Sequence, residues 1–398
     1  MRKILIVTER RADYSRFKPI LNLIEKSEEL DYNLVVTGIH LLEKHGNTIE
    51  EIKSDGYKIF DTFDMFEDWD GVVKNTDSDA PKWSNIATLA DDGALMMKGF
   101  SNAISSLTDI VKVSKPDIIL SGFDIGANLA ITIVGAHMNV PIAHIQGGEV
   151  SGTIDESIRH AMSKFSHYHF CANDDARQRL IKMGEEPEKI FDVGCPSLDA
   201  LLDVERLSQK EIFENFGINM DNKYLVVLQH PVTTELGSSK NQIEETIKAV
   251  KESGLPAIMI YPNNDAGSND IIDKICESGI KYVPTLPLQE YVTLMSNCSA
   301  LIGNSSSGIH ETQTFKIPTI NIGTRQQGRL RSINVIDVDY CSPDIKNAIA
   351  TALYDKDFIN KVNNSKNLYG EGGSADKIVK KLETIDISSN IIQKQITY

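Results

Sequence analysis

Short β-branched runs alternate with amphipathic segments through most of the chain, which predicts parallel sheets covered by helices. Lys3 to Thr8 reads as a buried strand, followed by strands over Asn33 to Thr37, Asp117 to Ser121 and Pro141 to Ile145. Tyr168 to Cys171 adds another, and Ile190 to Val193 closes the first series. Helical periodicity lies between them, as in Arg16 to Ser27 and Gly99 to Val113. A second series opens at Lys223 to Leu228 and continues with Ala257 to Tyr261, Lys281 to Val283, Ala300 to Gly303 and Pro318 to Ile322. Two successive βα arrays predict an α/β fold of two Rossmann-like domains. Ligands in such sheets bind beyond the carboxyl ends of the strands, so the interdomain cleft is the expected site.

The N-terminal domain is expected over 1–195 and the C-terminal domain over 196–373. Residues 374–398 form a C-terminal helix and tail returning to the N-terminal domain, the last dozen residues reading as frayed. Asp199 to Asp221 looks helical and holds the domain junction. Asp64 to Asp92 is polar and aperiodic, and reads either as a lid near the cleft or as a plain surface insertion.

Bulk properties narrow the function classes. The 398 residues carry a formal net charge of −15, which argues against electrostatic binding to nucleic acid or to an anionic membrane. An anionic small molecule needs a local site made of arginines and helix N-termini. The 5 cysteines are scattered without a C-x-x-C pair, arguing against a disulfide framework or zinc cluster. With no signal-peptide pattern and no apolar run of membrane-spanning length, a cytoplasmic location is expected.

Candidate chemistry gathers at predicted strand ends. Gly303-Asn304-Ser305-Ser306-Ser307-Gly308 follows a strand and precedes a helix-compatible stretch from Ile309 to Phe315. Unpaired N–H groups, the helix dipole and three hydroxyls suit a phosphate or diphosphate, although an ordinary capped helix explains the same run. Arg325 ends the next strand. Arg10 and Arg11 follow the first strand, with Ser15 placed to cap the next helix. His144-Ile145-Gln146-Gly147-Gly148-Glu149 leads into Asp155, which reads as a functional carboxylate or as a helix cap. Gln229-His230-Pro231 and Tyr261-Pro262-Asn263 end strands in the second series. His167 and His169 alternate on a strand and read as structural rather than as metal ligands.

Together these strings resemble the hydrolysing UDP-N-acetylglucosamine 2-epimerases of sialic-acid-type sugar synthesis, including the epimerase half of the bifunctional epimerase/kinase. The resemblance covers about Met1 to Ile385. It rests on Arg11 to Ser15, Thr37 to His40 with Gly46 to Thr48, His144 to Glu149, Ser151 to Asp155 and Ser157 to His160. It rests further on Gln229 to Thr234, Pro262-Asn263, Asp265 to Ser268, Gly303 to Ser306 and Gly323 to Gln326. No kinase portion is expected, because the chain ends after the epimerase length. The resemblance implies a glycosyltransferase-B type fold, a homodimer or homotetramer, a UDP-sugar as substrate, and neither metal nor cofactor. It implies removal of the C2 proton, expulsion of UDP from C1 and hydration of the resulting 2-acetamidoglucal to N-acetylmannosamine. Arg11, His230, Ser305, Ser306 and Arg325 take the diphosphate by resemblance. Glu311 takes the ribose, with Ser15 and Asn263 as further contacts.

The chain departs from the family where the chemistry lies. Gly122-Phe123-Asp124 stands where members usually read Gly-Asp-Arg, and Gln146 stands where many carry a glutamate. Glutamine cannot act as a general base. Catalysis is therefore expected to rest on Asp155, Asp124 and His144, with Gln146 orienting the sugar. On this reading, a gain of activity in Gln146→Glu would mark a handicapped site. The substrate is UDP-N-acetylglucosamine or a UDP-2,4-diacetamido-trideoxyhexose of the legionaminic type. A glycosyltransferase of the same fold and a non-catalytic UDP-sugar-binding protein are the competing readings.

Overall fold

The computed structural model describes residues 1–42, 47–66, 93–123, 126–235, 237–263, 265 and 267–398. Asp124 and most of the polar stretch from Asp64 to Asp92 lie outside these. The chain divides into two compact units. One comprises Met1–Glu149, Asp155–Ala200 and Gly372–Tyr398; the other comprises Val150–Ile154 and Leu201–Glu371. The second unit therefore takes a short segment, Val150–Ile154, from the middle of the region expected to form the first domain.

Among the described residues, the first unit is built on seven parallel strands: β1 (Arg2–Thr8), β2 (Leu30–Thr37), β3 (Ile59–Phe63), β4 (Ile118–Gly122), β5 (Ile142–Ile145), β6 (Tyr168–Cys171) and β7 (Ile190–Asp192). Their order is β3-β2-β1-β4-β5-β6-β7. β1 is apolar on both sides because both faces are covered. Ile4 and Ile6 pack with Phe17, Ile20 and Leu21, while Leu5 and Val7 pack with Ile131 and Val134. The second unit holds β8 (Leu225–Leu228), β9 (Ala257–Ile260), β10 (Lys281–Val283), β11 (Ala300–Gly303), β12 (Thr319–Ile322) and β13 (Val335–Val338). They run parallel in the order β10-β9-β8-β11-β12-β13. Chain direction across the sheet thus reverses between β1 and β4 in one unit and between β8 and β11 in the other. These are the positions at which doubly wound sheets open a crevice.

Strands β3 and β13 have no counterpart in the sequence reading. Both end their sheets, and the β3 residues Phe60 to Thr62 are exposed, so neither shows the continuous apolar run of an interior strand. Asp199 to Asp221 forms two helices, Ser197–Asp203 and Gln209–Phe216, rather than one. The C-terminal helix Ser374–Thr384 packs Ile378 and Leu382 into the core around Phe17 and Ile20. The tail beyond it is not frayed. Tyr168 donates to the Asp386 carbonyl at 2.6 Å, and Lys394 Nζ reaches the buried Glu185 carboxylate at 2.6 Å and the Ser163 carbonyl at 3.0 Å. A buried carboxylate supplies what the polar tail sequence lacked, a strong anchor.

Candidate active site

In the second unit the candidate residues gather at the reversal point. Gly303 ends β11 at φ +130°, and any Cβ there would lie 2.1 Å from the Leu228 carbonyl oxygen, so only glycine lets β11 come this close to β8. The next residue, Asn304, is fully buried and ties the two strand ends together. It accepts from the His230 N–H at 2.7 Å and donates to the His230 carbonyl at 2.8 Å. Its own carbonyl accepts from Gln326 Nε2 at 2.7 Å and from Arg325 Nη1 at 3.3 Å.

This frame aims donors outward from the sheet. His230 Nδ1 accepts the Asn263 backbone N–H at 3.0 Å. Asn263 Oδ1 lies 3.0 Å from the same nitrogen, so the backbone and side chain of Asn263 together grip the imidazole through Nδ1. Asn263 is braced in turn by Nδ2 donating to Asp265 Oδ2 at 2.7 Å. Arg325 lies 3.7 Å from the same Asp265 oxygen, and its Nε is buried with no hydrogen-bond partner. Ser305 Oγ is 3.3 Å from Ser307, ahead of a helix that runs Ser307–His310 and continues as a 3-10 turn over Thr312–Phe315. The helix begins two residues earlier than Ile309, which brings Ser305 and Ser306 to its open N-terminus. Glu311 follows as a buried carboxylate near Tyr291, whose hydroxyl is held well above its ordinary pKa by burial and by the Glu311 charge.

The Val150–Ile154 segment lies along this frame. Gly152 N–H donates to the Arg325 carbonyl at 3.0 Å, and Arg329 Nε donates to Val150 O at 2.7 Å. Only glycine fits at position 152, because a Cβ there would meet Thr324 O at 2.1 Å.

In the first unit, Asp155 opens the helix Asp155–Phe165 and is half-buried. Arg159, one turn further on, shares its helix face. The Arg159 guanidinium is buried in an ion pair with Glu149 at 3.2 Å and also donates to the Gln146 carbonyl at 3.3 Å. Gln146 stands at φ +58° at the end of β5, fully buried, with Nε2 donating to Glu149 Oε1 at 2.9 Å and to Cys195 Sγ at 3.4 Å. Burial pushes the Cys195 thiol up to about 11, so it stays protonated. Gln146 is thus held by Glu149 and by Arg159, which stands one helical turn after Asp155.

Three expected residues have other surroundings. His144 is fully buried, with Nδ1 3.2 Å from Ser163 Oγ and its ring edge-on to His169. Burial holds it down at about 3, so it is neutral and a weak proton acceptor in the folded chain. Ser15 lies inside the helix Arg11–Ile24 and donates to the Ala12 carbonyl, because Asp13 takes the capping role by accepting from the Glu9 and Arg10 N–H groups at 2.8 Å. Arg11 pairs with Glu51 at 2.9 Å. Asp124 lies outside the described residues, but Phe123 before it is buried at φ +69°, stacked edge-on to Phe17 beneath the Arg16 guanidinium.

Asn304, Glu149 and Arg159 escaped the sequence reading of the site. Nothing in a single sequence marks an asparagine as a strand clamp, although Arg159 four residues after Asp155 was a legible helix-face pair. Glu9 is a fourth. Its buried carboxylate accepts the Ala127 N–H at 2.9 Å at the start of the helix Gly126–His137, and burial pushes its pKa up. His167 and His169 are structural: one accepts the Ile142 N–H at 3.0 Å and the other meets Glu185 at 3.0 Å. Among the described residues, no group of three His, Cys, Asp or Glu side chains could hold a metal ion. No helix among them is long and apolar enough to cross a membrane.

Two parallel α/β units with reversal-point sites are the architecture of the glycosyltransferase-B type, and solved structures agree. The UDP-GlcNAc 2-epimerase from Neisseria meningitidis bound to UDP-GlcNAc superposes with a TM-score of 0.77 at 18% identity, covering 96% of this chain and 99% of that one. The profile of the UDP-N-acetylglucosamine 2-epimerase family matches residues 22–383, and the chain belongs to that family. It is 35% identical to the UDP-N,N'-diacetylbacillosamine 2-epimerase (hydrolyzing) of Legionella pneumophila over 100% of both chains. It is 33% identical to the UDP-N-acetylglucosamine 2-epimerase of Neisseria meningitidis over 88% of both.

Proposed function

We propose that the protein is a hydrolysing UDP-sugar 2-epimerase that converts a UDP-2-acetamidohexose to UDP and the free C2-epimeric sugar. The observation that carries this reading is the Asn304 frame, which gathers the His230 imidazole and the Arg325 guanidinium, its buried Nε without a hydrogen-bond partner, at the joined ends of β8 and β11. Negative charge grows on the diphosphate as it leaves C1, and preorganised donors of this kind stabilise it most when charge is greatest. In this reading Arg325, His230, Ser305, Ser306 and Asn263 hold the diphosphate and Glu311 the ribose. Arg11 adds positive charge once it exchanges Glu51 for substrate. Asp155 handles the C2 proton together with Asp124. Gln146 contacts the sugar without moving a proton, and His144 only supports the fold.

Two substrates fit the relatives equally well. UDP-N-acetylglucosamine is the substrate named for one and UDP-N,N'-diacetylbacillosamine for the other. Incubating the purified protein with each and following UDP release separates them. The substrate that releases UDP with a free epimerised sugar is the natural one, and release from neither overturns the proposal.

A further inference from the structure

The Gln146 side chain is an amide whose two ends have been told apart by its neighbours. Its Nε2 faces the Glu149 carboxylate at 2.9 Å and the Cys195 sulfur at 3.4 Å, which uses both of its hydrogens. Rotating the amide by half a turn would put Oε1 against a carboxylate oxygen, so Glu149 dictates the orientation. Glu149 is itself immobilised by Arg159 at 3.2 Å, and both are buried. The result is that Gln146 Oε1 is buried with no hydrogen-bond partner. A buried carbonyl oxygen left unpaired is costly and rare in folded proteins, and an unoccupied acceptor at a strand end beside the Asp155 helix has the character of a ligand contact.

We propose that Gln146 Oε1 is a specificity-determining acceptor for an N–H or O–H of the sugar, and that Glu149 is the positioning residue that aims it. The proposal rests on the epimerase reading above and deepens it. Position 146 then selects for a sugar that donates a hydrogen bond there, such as a 2-acetamido N–H or a neighbouring hydroxyl. The Glu149–Arg159 pair keeps the opposite face of the amide from presenting its donor instead.

The test compares binding of free UDP and of UDP-N-acetylglucosamine by calorimetry, using Asp155→Asn protein to suppress turnover. Gln146→Met removes the acceptor at nearly constant volume. It is expected to weaken UDP-N-acetylglucosamine by roughly tenfold, the scale of one hydrogen bond, while UDP stays within about twofold. Glu149→Gln is expected to give the same selective loss because the Gln146 amide is released, with Glu149→Asp restoring part of it. UDP analogues carrying 2-deoxy or 3-deoxy sugars identify the donor, since the analogue lacking it is blind to Gln146→Met. Equal weakening of both ligands, or no weakening of either, overturns the proposal. Should wild-type protein bind UDP-N-acetylglucosamine no better than UDP, the acceptor role also falls, whereas failure to bind UDP at all refutes the epimerase reading itself.

Discussion

His230 and Asn304 are joined twice across the ends of β8 and β11, each donating once to the other at 2.7 and 2.8 Å. A side-chain amide offers a donor and an acceptor at this spacing; a carboxylate offers only acceptors. Asn304→Asp therefore sets a carboxylate oxygen against the His230 carbonyl and adds negative charge beside Arg325. Stability should fall by about 1–3 kcal/mol in chemical denaturation. UDP affinity should fall at least about tenfold by calorimetry. Unchanged UDP affinity would contradict the frame's role.

Gln146→Glu is expected to lose activity rather than gain it. The new carboxylate replaces a donor 2.9 Å from Glu149, so two buried acids face each other and one of them is pushed up in pKa. An acid whose folded pKa lies above its unfolded value costs stability as pH rises from about 4 through that raised pKa. The variant should therefore lose stability relative to wild type on going from pH 5 to pH 7. Equal pH dependence in the two proteins, together with raised turnover, would refute this.

Acid should unfold the first unit early. Burial holds His40 at about 4, His144 at about 3 and His167 at about 4. In the unfolded chain these histidines take protons below about pH 6.5. Their folded pKa values are depressed, so the unfolded state binds more protons and stability falls with pH. Three groups give a slope approaching about 4 kcal/mol per pH unit between roughly pH 6 and 4. Urea midpoints at pH 7 and pH 5 measure it, and equal midpoints would contradict the buried, neutral assignment.

Lys394 should matter although it lies in a polar tail. It joins Lys164 and His169 on Glu185, at 2.6, 2.8 and 3.0 Å. Burial alone pushes Glu185 up, but these partners outweigh it and hold the carboxyl at about 2. Lys394→Met should cost about 2 kcal/mol at pH 7 and expose the chain beyond Asp386 to proteolysis. An unaltered melting point and cleavage rate would show the anchor to be idle.

Much of the fold was legible because interior parallel strands must be apolar on both faces, as Ile4 to Val7 and Ala300 to Ile302 are. The edge strands Ile59–Phe63 and Val335–Val338 lack that signal because one flank is open. The positions of His230, Ser305 and Arg325 just beyond strand ends were legible in the same way, since each follows an apolar run. Partnership was not legible. His144 lies one residue before the end of an apolar strand, where the sequence placed a catalytic group, but side-chain alternation turns it toward Ser163 and His169. Glu149 reads as one more acid in a polar loop until Arg159 and Gln146 are seen around it.

The most direct measurement of the central claim is turnover of UDP-N-acetylglucosamine, and separately of its 2,4-diacetamido counterpart, in deuterated water. Elimination and rehydration must exchange the C2 proton with solvent. The account predicts one mole of UDP per mole of free C2-epimeric sugar, with deuterium at C2 of the product. UDP release that leaves C2 unlabelled, or no release from either substrate, would contradict it.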